Sequence, residues 1–87
     1  MDYEKIIHAL IDPIVENKDI IMIRELPSDS PRDVVLLIVA ENEDTARLIG
    51  RKGSIANALR ELLSVAGKTD SKRLHIKFES FEEKNED

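Results

Sequence analysis

The sequence predicts an α+β protein: one small domain in which a three-stranded sheet carries helices packed on one face. Two observations lead there. Three segments show the three-four apolar spacing or the capping pattern of helices, while three others are short β-branched or alternating runs, and together they fall in the order α-β-β-α-α-β. The 87-residue length leaves room for a single core and no second domain.

The first element is an amphipathic helix in which Tyr3, Ile6, Ile7, Leu10, Ile11, Ile14 and Val15 share a face, with Asp2 placed to cap the first turn. Pro13 cannot donate a hydrogen bond and crowds the preceding turn, so a kink or stop is expected near Asp12. The runs Ile20 to Leu26 and Val34 to Ala40 have the length and side chains of strands, apolar on both faces, and the Pro- and Ser-rich link between them reads as a hairpin loop. Helices over one face would leave the other for a partner. Asn42 is a candidate N-cap for a short helix ending at Gly50. A further helix is expected from Gly53 or Ser54 to a stop at Gly67. Leu74, Ile76 and Phe78 then alternate with His75, Lys77 and Glu79, the pattern of a strand with one wet face. The domain is expected to span residues 1–79, and the acidic stretch 80–87 reads as a disordered tail.

The unusual feature is the break between the second and third helices. Two of the three glycines, Gly50 and Gly53, bracket Arg51 and Lys52. A helix that starts at Gly53 aims its free N–H groups and positive dipole end back at this turn, and glycine lets an extended phosphate backbone approach closely. The same four residues also describe an ordinary corner between two helices with a solvated basic pair. Ile49 and Ile55 flank the turn and, with Leu48, Leu59 and inward residues of the second strand, would line a shallow apolar groove. Arg47 and Arg60 lie one turn out and extend the basic rim, and Lys72, Arg73 and Lys77 follow on the neighbouring strand.

Charge is distributed unevenly behind a formal total of -5. Residues 1–44 hold 4 basic and 11 acidic side chains, residues 45–77 hold 8 and 2, and residues 78–87 hold 1 and 5. One end of the domain is therefore suited to an anion while the rest stays acidic. The absence of cysteine removes disulfides, thiol nucleophiles and the usual structural zinc sites. No apolar run approaches the roughly 18 residues that cross a bilayer, and the acidic N-terminus is unlike a secretory signal, so a cytoplasmic protein with no membrane partner is expected.

The run Leu48 to Leu63, "LIGRKGSIANALRELL", resembles the Gly-x-x-Gly signature of KH domains, and the element order is that of the bacterial, type II KH fold. The likeness is to the small single-KH-domain proteins of the KhpA family and extends to about Glu79. It implies that Gly50, Arg51, Lys52 and Gly53 form the loop that clamps a nucleic-acid backbone, with Ser54 opening the following helix and Ile49 and Ile55 on the flanking apolar positions. KH domains hold about four nucleotides of single strand in this way. The resemblance further implies an RNA chaperone or post-transcriptional regulator that forms homodimers and heterodimers with a larger KH-containing RNA-binding protein linked to cell elongation and division. No cofactor is implied.

Other readings fare less well. His8 and His75 are the only histidines, and with Asp12 and Glu16 they build no catalytic or metal constellation, so no enzyme is expected. A helix-turn-helix would present Asn57, Arg60, Glu61 and Ser64, too few groups to read base edges, and an RNA-recognition motif needs more aromatics than Tyr3, Phe78 and Phe81. The alternative from another class is a protein-interaction scaffold with weak or no RNA binding; the basic pair between intact glycines speaks against it.

Overall fold

A computed structural model describes residues 2–81. Helix α1 (Tyr3–Ile11) is capped by Asp2, whose carboxylate accepts from the Lys5 N–H at 3.1 Å. It ends at Asp12, one residue before Pro13, as a residue preceding proline should. Glu16 therefore lies beyond the helix and shares no helical face with Asp12.

Strand β1 (Met22–Leu26) is shorter than the apolar run indicates, because Lys18–Ile20 coil into a 3-10 turn that sinks Ile21 into the core. It forms an antiparallel hairpin with β2 (Asp33–Ala40). In the link, where Pro27 and Pro31 offer no N–H, the Ser28 and Ser30 hydroxyls accept from the N–H groups of Ser30 and Arg32, each at 3.2 Å. Helix α2 (Asn42–Ile49) starts one residue earlier than its expected cap: Asn42 is inside the helix and Glu41 is the N-cap. Helix α3 (Ser54–Thr69) passes through Gly67 instead of stopping there. Gly67 is buried because the chain entering β3 (Arg73–Ser80) crosses it; a Cβ would lie 2.7 Å from the Lys72 carbonyl oxygen.

The sheet order is β1-β2-β3, with β2 and β3 parallel. Val34, Leu36, Ile38 and Ala40 of the central strand point to the helices and are buried with Ile7, Ile11, Leu48, Leu59, Leu63 and Ile76. Val35, Leu37 and Val39 occupy the opposite face and are only half-buried. The register sets them between Met22, Arg24 and Leu26 on one side and His75, Lys77 and Glu79 on the other. β3 continues through Ser80, and the Phe81 N–H donates to Ala40 at 2.9 Å. The remaining positions of the expected tail, 82–87, lie outside the described residues.

Candidate nucleic-acid interface

The site is built on the turn between α2 and α3. Gly50 closes α2 by donating its N–H to Ala46 at 2.9 Å, then takes φ 77° and ψ 171° to reverse the chain over the start of α3. A Cβ there would sit 2.5 Å from Ile55 Cγ1 and 2.8 Å from the Ile55 nitrogen, so this glycine is required by both dihedral and space. Lys52 (φ 55°, ψ 29°) and Gly53 (φ 77°, ψ 15°) are successive left-handed residues that start the next helix. The left-handed region costs a lysine about 1–2 kcal/mol. Such strain is typical of ligand clamps.

Two properties of the turn bear on anions. No side chain caps the first turn of the 16-residue α3 and no acid lies in it; the Ser54 N–H donates to the Arg51 carbonyl, and the positive dipole end of the helix faces the turn. Arg51 and Lys52 are exposed at the tip, and neither side chain makes an ion pair or hydrogen bond among the described residues. Ser54 is exposed beside them, Ile49 is 38 % exposed and Ile55 is half-buried.

The rim differs from the sequence-based expectation. Leu48, Leu59 and the inward residues of β2 are core residues, which leaves Ile49 and Ile55 as the reachable apolar surface of the expected groove. Arg47 does not extend the rim as an unpaired cation: it is bonded to the buried Asp44, with Glu16 at 3.8 Å and Glu43 at 4.0 Å. Lys72 donates to the Pro31 carbonyl at 3.0 Å, and Arg73 grips Asp33 through two bonds of 2.9 and 3.0 Å. Arg73 and Lys77 lie on the sheet face turned away from the helices. Arg60 reaches β3, donating to the Ile76 carbonyl at 3.4 Å with its guanidinium 5.9 Å from the centre of the Phe78 ring.

With this geometry in view, a model of the KhpA/KhpB KH domain matches residues 4–78. The chain belongs to this family. It is similar to the RNA-binding protein KhpA of Bacillus subtilis, at 29 % identity over 79 residues, covering 91 % of this chain and 93 % of the relative. The RNA-binding protein KhpA of Listeria monocytogenes is 26 % identical over 73 residues (84 % of this chain, 93 % of the relative), and that of Aquifex aeolicus is 29 % identical over 69 residues (79 % and 85 %). No solved structure matches the chain.

Within this KhpA/KhpB-type domain, Asp44 is the polar residue that sequence reasoning passed over. It is 1 % exposed in the first turn of α2, and its two oxygens accept from the N–H groups of Glu16 at 2.9 Å and Asn17 at 3.0 Å. The Glu16 amide, aided by that of Asn17 and by Arg47, lowers its pKa against the opposing effect of burial. Asp44 thereby ties the loop after α1 to the helix that leads into the turn. The two amide partners are 27 and 28 positions away, and no local pattern announces them. Both histidines pair with aspartates, His8 with Asp12 at 2.9 Å and His75 with Asp33 at 3.0 Å. No group of three potential metal ligands occurs among the described residues, and no helix there is long and apolar enough to cross a membrane.

Proposed function

We propose that this domain binds single-stranded RNA at the Gly50–Gly53 turn. The observation that carries the reading is a strained turn with two unpaired cations at its tip, set at the uncapped start of a long helix. Phosphates would sit against the first-turn N–H groups of α3, between Arg51 and Lys52, while bases rest against Ile49 and Ile55. The relatives are RNA-binding proteins, which supports the same reading. Few phosphates can be met by one such turn, so binding by a single domain is weak and salt-sensitive. Affinity at cellular salt then comes from pairing two domains, as a homodimer or with a larger KH-containing protein, because linking weak sites raises the effective concentration of the second. The half-buried apolar residues Val35, Leu37 and Val39 on the open sheet face favour such pairing. In this reading the protein is a cytoplasmic RNA chaperone or post-transcriptional regulator tied to cell elongation and division, with no catalytic step.

The test is binding of short fluorescent single-stranded RNAs to the wild type and to the double variant R51D/K52D, with fold checked by circular dichroism and oligomeric state by light scattering. Loss of binding in the folded variant supports the clamp. Wild-type protein that binds no RNA pool at low salt would leave a scaffold, and the turn would be only a corner between helices.

A further inference from the structure

Beyond the turn itself, one line of side chains leads away from it without interruption. The Asn57 amide nitrogen lies 3.8 Å from where a Gly53 Cβ would be, so this side chain stands beside the clamp. Its carbonyl oxygen accepts from one Arg60 nitrogen at 3.4 Å, while the other terminal nitrogen of Arg60 donates to the Ile76 carbonyl of β3. Two long contacts thus tether the guanidinium, whose carbon lies over the Phe78 ring 5.9 Å from its centre. Arg60 is exposed, so its outer side faces solvent, and the Phe78 ring beneath is half-buried. Arg60 follows Ser54 by six residues, about 9 Å along the helix axis.

We infer that the Arg60 guanidinium, steadied by Asn57, the Ile76 carbonyl and the Phe78 ring, is a stacking platform for one nucleobase beside the clamped phosphates. The inference rests on the RNA-binding reading above and adds to it a position that contacts a base, where the charge pattern alone indicates only a basic rim. An arginine is suited to this and a lysine is not: the guanidinium is planar, weakly hydrated and stacks on π systems, whereas an ammonium is a compact, strongly hydrated point charge. The chain is poor in aromatics, and Arg60 over Phe78 supplies a flat surface that neither Ile49 nor Ile55 can offer. Such a surface accepts any base with a π-face, so it senses the presence of a base more than its identity.

The experiment is an abasic scan. A short single-stranded RNA and a set of copies, each lacking one base but keeping every phosphate, are titrated by fluorescence anisotropy against wild type, R60K and F78L. Wild type is expected to lose about fivefold or more in affinity at one position of the scan. In R60K, which keeps the charge, that loss disappears while the dependence of affinity on salt stays near wild type. F78L, which keeps an apolar side chain under the guanidinium but removes the ring, reduces the same positional loss. An R60K scan identical to wild type, or one weakened equally with every probe, would overturn the platform and leave Arg60 as a solvated or phosphate-neutralising charge. Failure of the underlying RNA-binding reading looks different: the wild type then binds none of the probes, intact or abasic, at low salt.

Discussion

Helix α3 has a glycine and a left-handed non-glycine residue near each end, and the two ends do opposite things. At the start, Lys52 is left-handed beside Gly53, and the cations there are unpaired. At the far end Ser71 (φ 59°) follows the buried Gly67, and the neighbouring Asp70 and Lys72 are tied down. The Gly67 carbonyl accepts from the N–H groups of Asp70 at 2.9 Å and Lys72 at 2.8 Å, Tyr3 donates to the Asp70 carboxylate at 2.6 Å, and Lys72 holds the Pro31 carbonyl. A strained backbone with a glycine is therefore a corner-making device in both places. What separates a candidate site from a joint is whether the polar groups around it are already satisfied.

The two ends of α3 are expected to respond in opposite ways when each is altered in turn. Gly67→Ala pushes a methyl into a backbone carbonyl and is expected to lower stability by about 1–3 kcal/mol in thermal or urea unfolding, with the RNA affinity of the folded fraction unchanged. Replacing Arg51 and Lys52 with glutamine should do the reverse. Stability stays within about 0.5 kcal/mol, while the slope of log affinity against log salt flattens by about 1.4, the value for two lost phosphate contacts on a single strand. A Gly67→Ala protein that unfolds like wild type, or a glutamine variant with the original salt slope, would erase the distinction.

Stability depends on pH through the joints, because the titrating groups belong to them. Hydrogen bonds from His75 and then Arg73 lower Asp33 to about 2, and Asp44 is lowered as well. Both folded values lie below those of the unfolded chain. The stabilisation is therefore complete above about pH 4 and is lost as pH falls through the folded values. The hydrogen bond to Asp70, with burial and the nearby charge, raises Tyr3 to about 12, so its contribution is complete below about pH 10 and is lost as pH rises toward 12. Melting temperatures across both ranges, with Asp33→Asn and Tyr3→Phe expected to flatten the acid and alkaline limbs respectively, check these signs.

The smallest effect concerns the strain itself. Ser71→Gly relieves a left-handed cost of about 1–2 kcal/mol and loses about 0.5–1 kcal/mol to chain entropy, so a gain of roughly 0.5 kcal/mol is expected. Lys52→Gly should gain similarly in stability and lose RNA affinity. An affinity unchanged by Lys52→Gly would argue that the tip cation takes no part.

Much of this was legible in advance. The α-β-β-α-α-β order, the Asp2 cap, the stop at Asp12 and the wet face of β3 all follow from residues within a few positions of one another. The misreadings have a common cause. Gly67 reads as a helix stop because its distant neighbour, the Lys72 carbonyl, cannot be seen in local pattern. Ile20 reads as strand because an apolar β-branched residue suits a 3-10 turn beside the core as well as a strand. Arg47 reads as a rim cation because its main partner, Asp44, is buried by elements far along the chain.

For the turn itself, the sequence alone determined which residues stand there: two glycines that permit positive φ, with two cations between them. That is local chemistry, set by steric limits on single residues and by the start of the next helix. Which cations stay unpaired was decided by tertiary structure, since Arg47, Arg73 and Lys72 have the same formal charge as Arg51 and Lys52 but are held by Asp44, Asp33 and the Pro31 carbonyl. A charge is spent or left available according to what packing brings within hydrogen-bond distance, and that distance is a property of the folded chain.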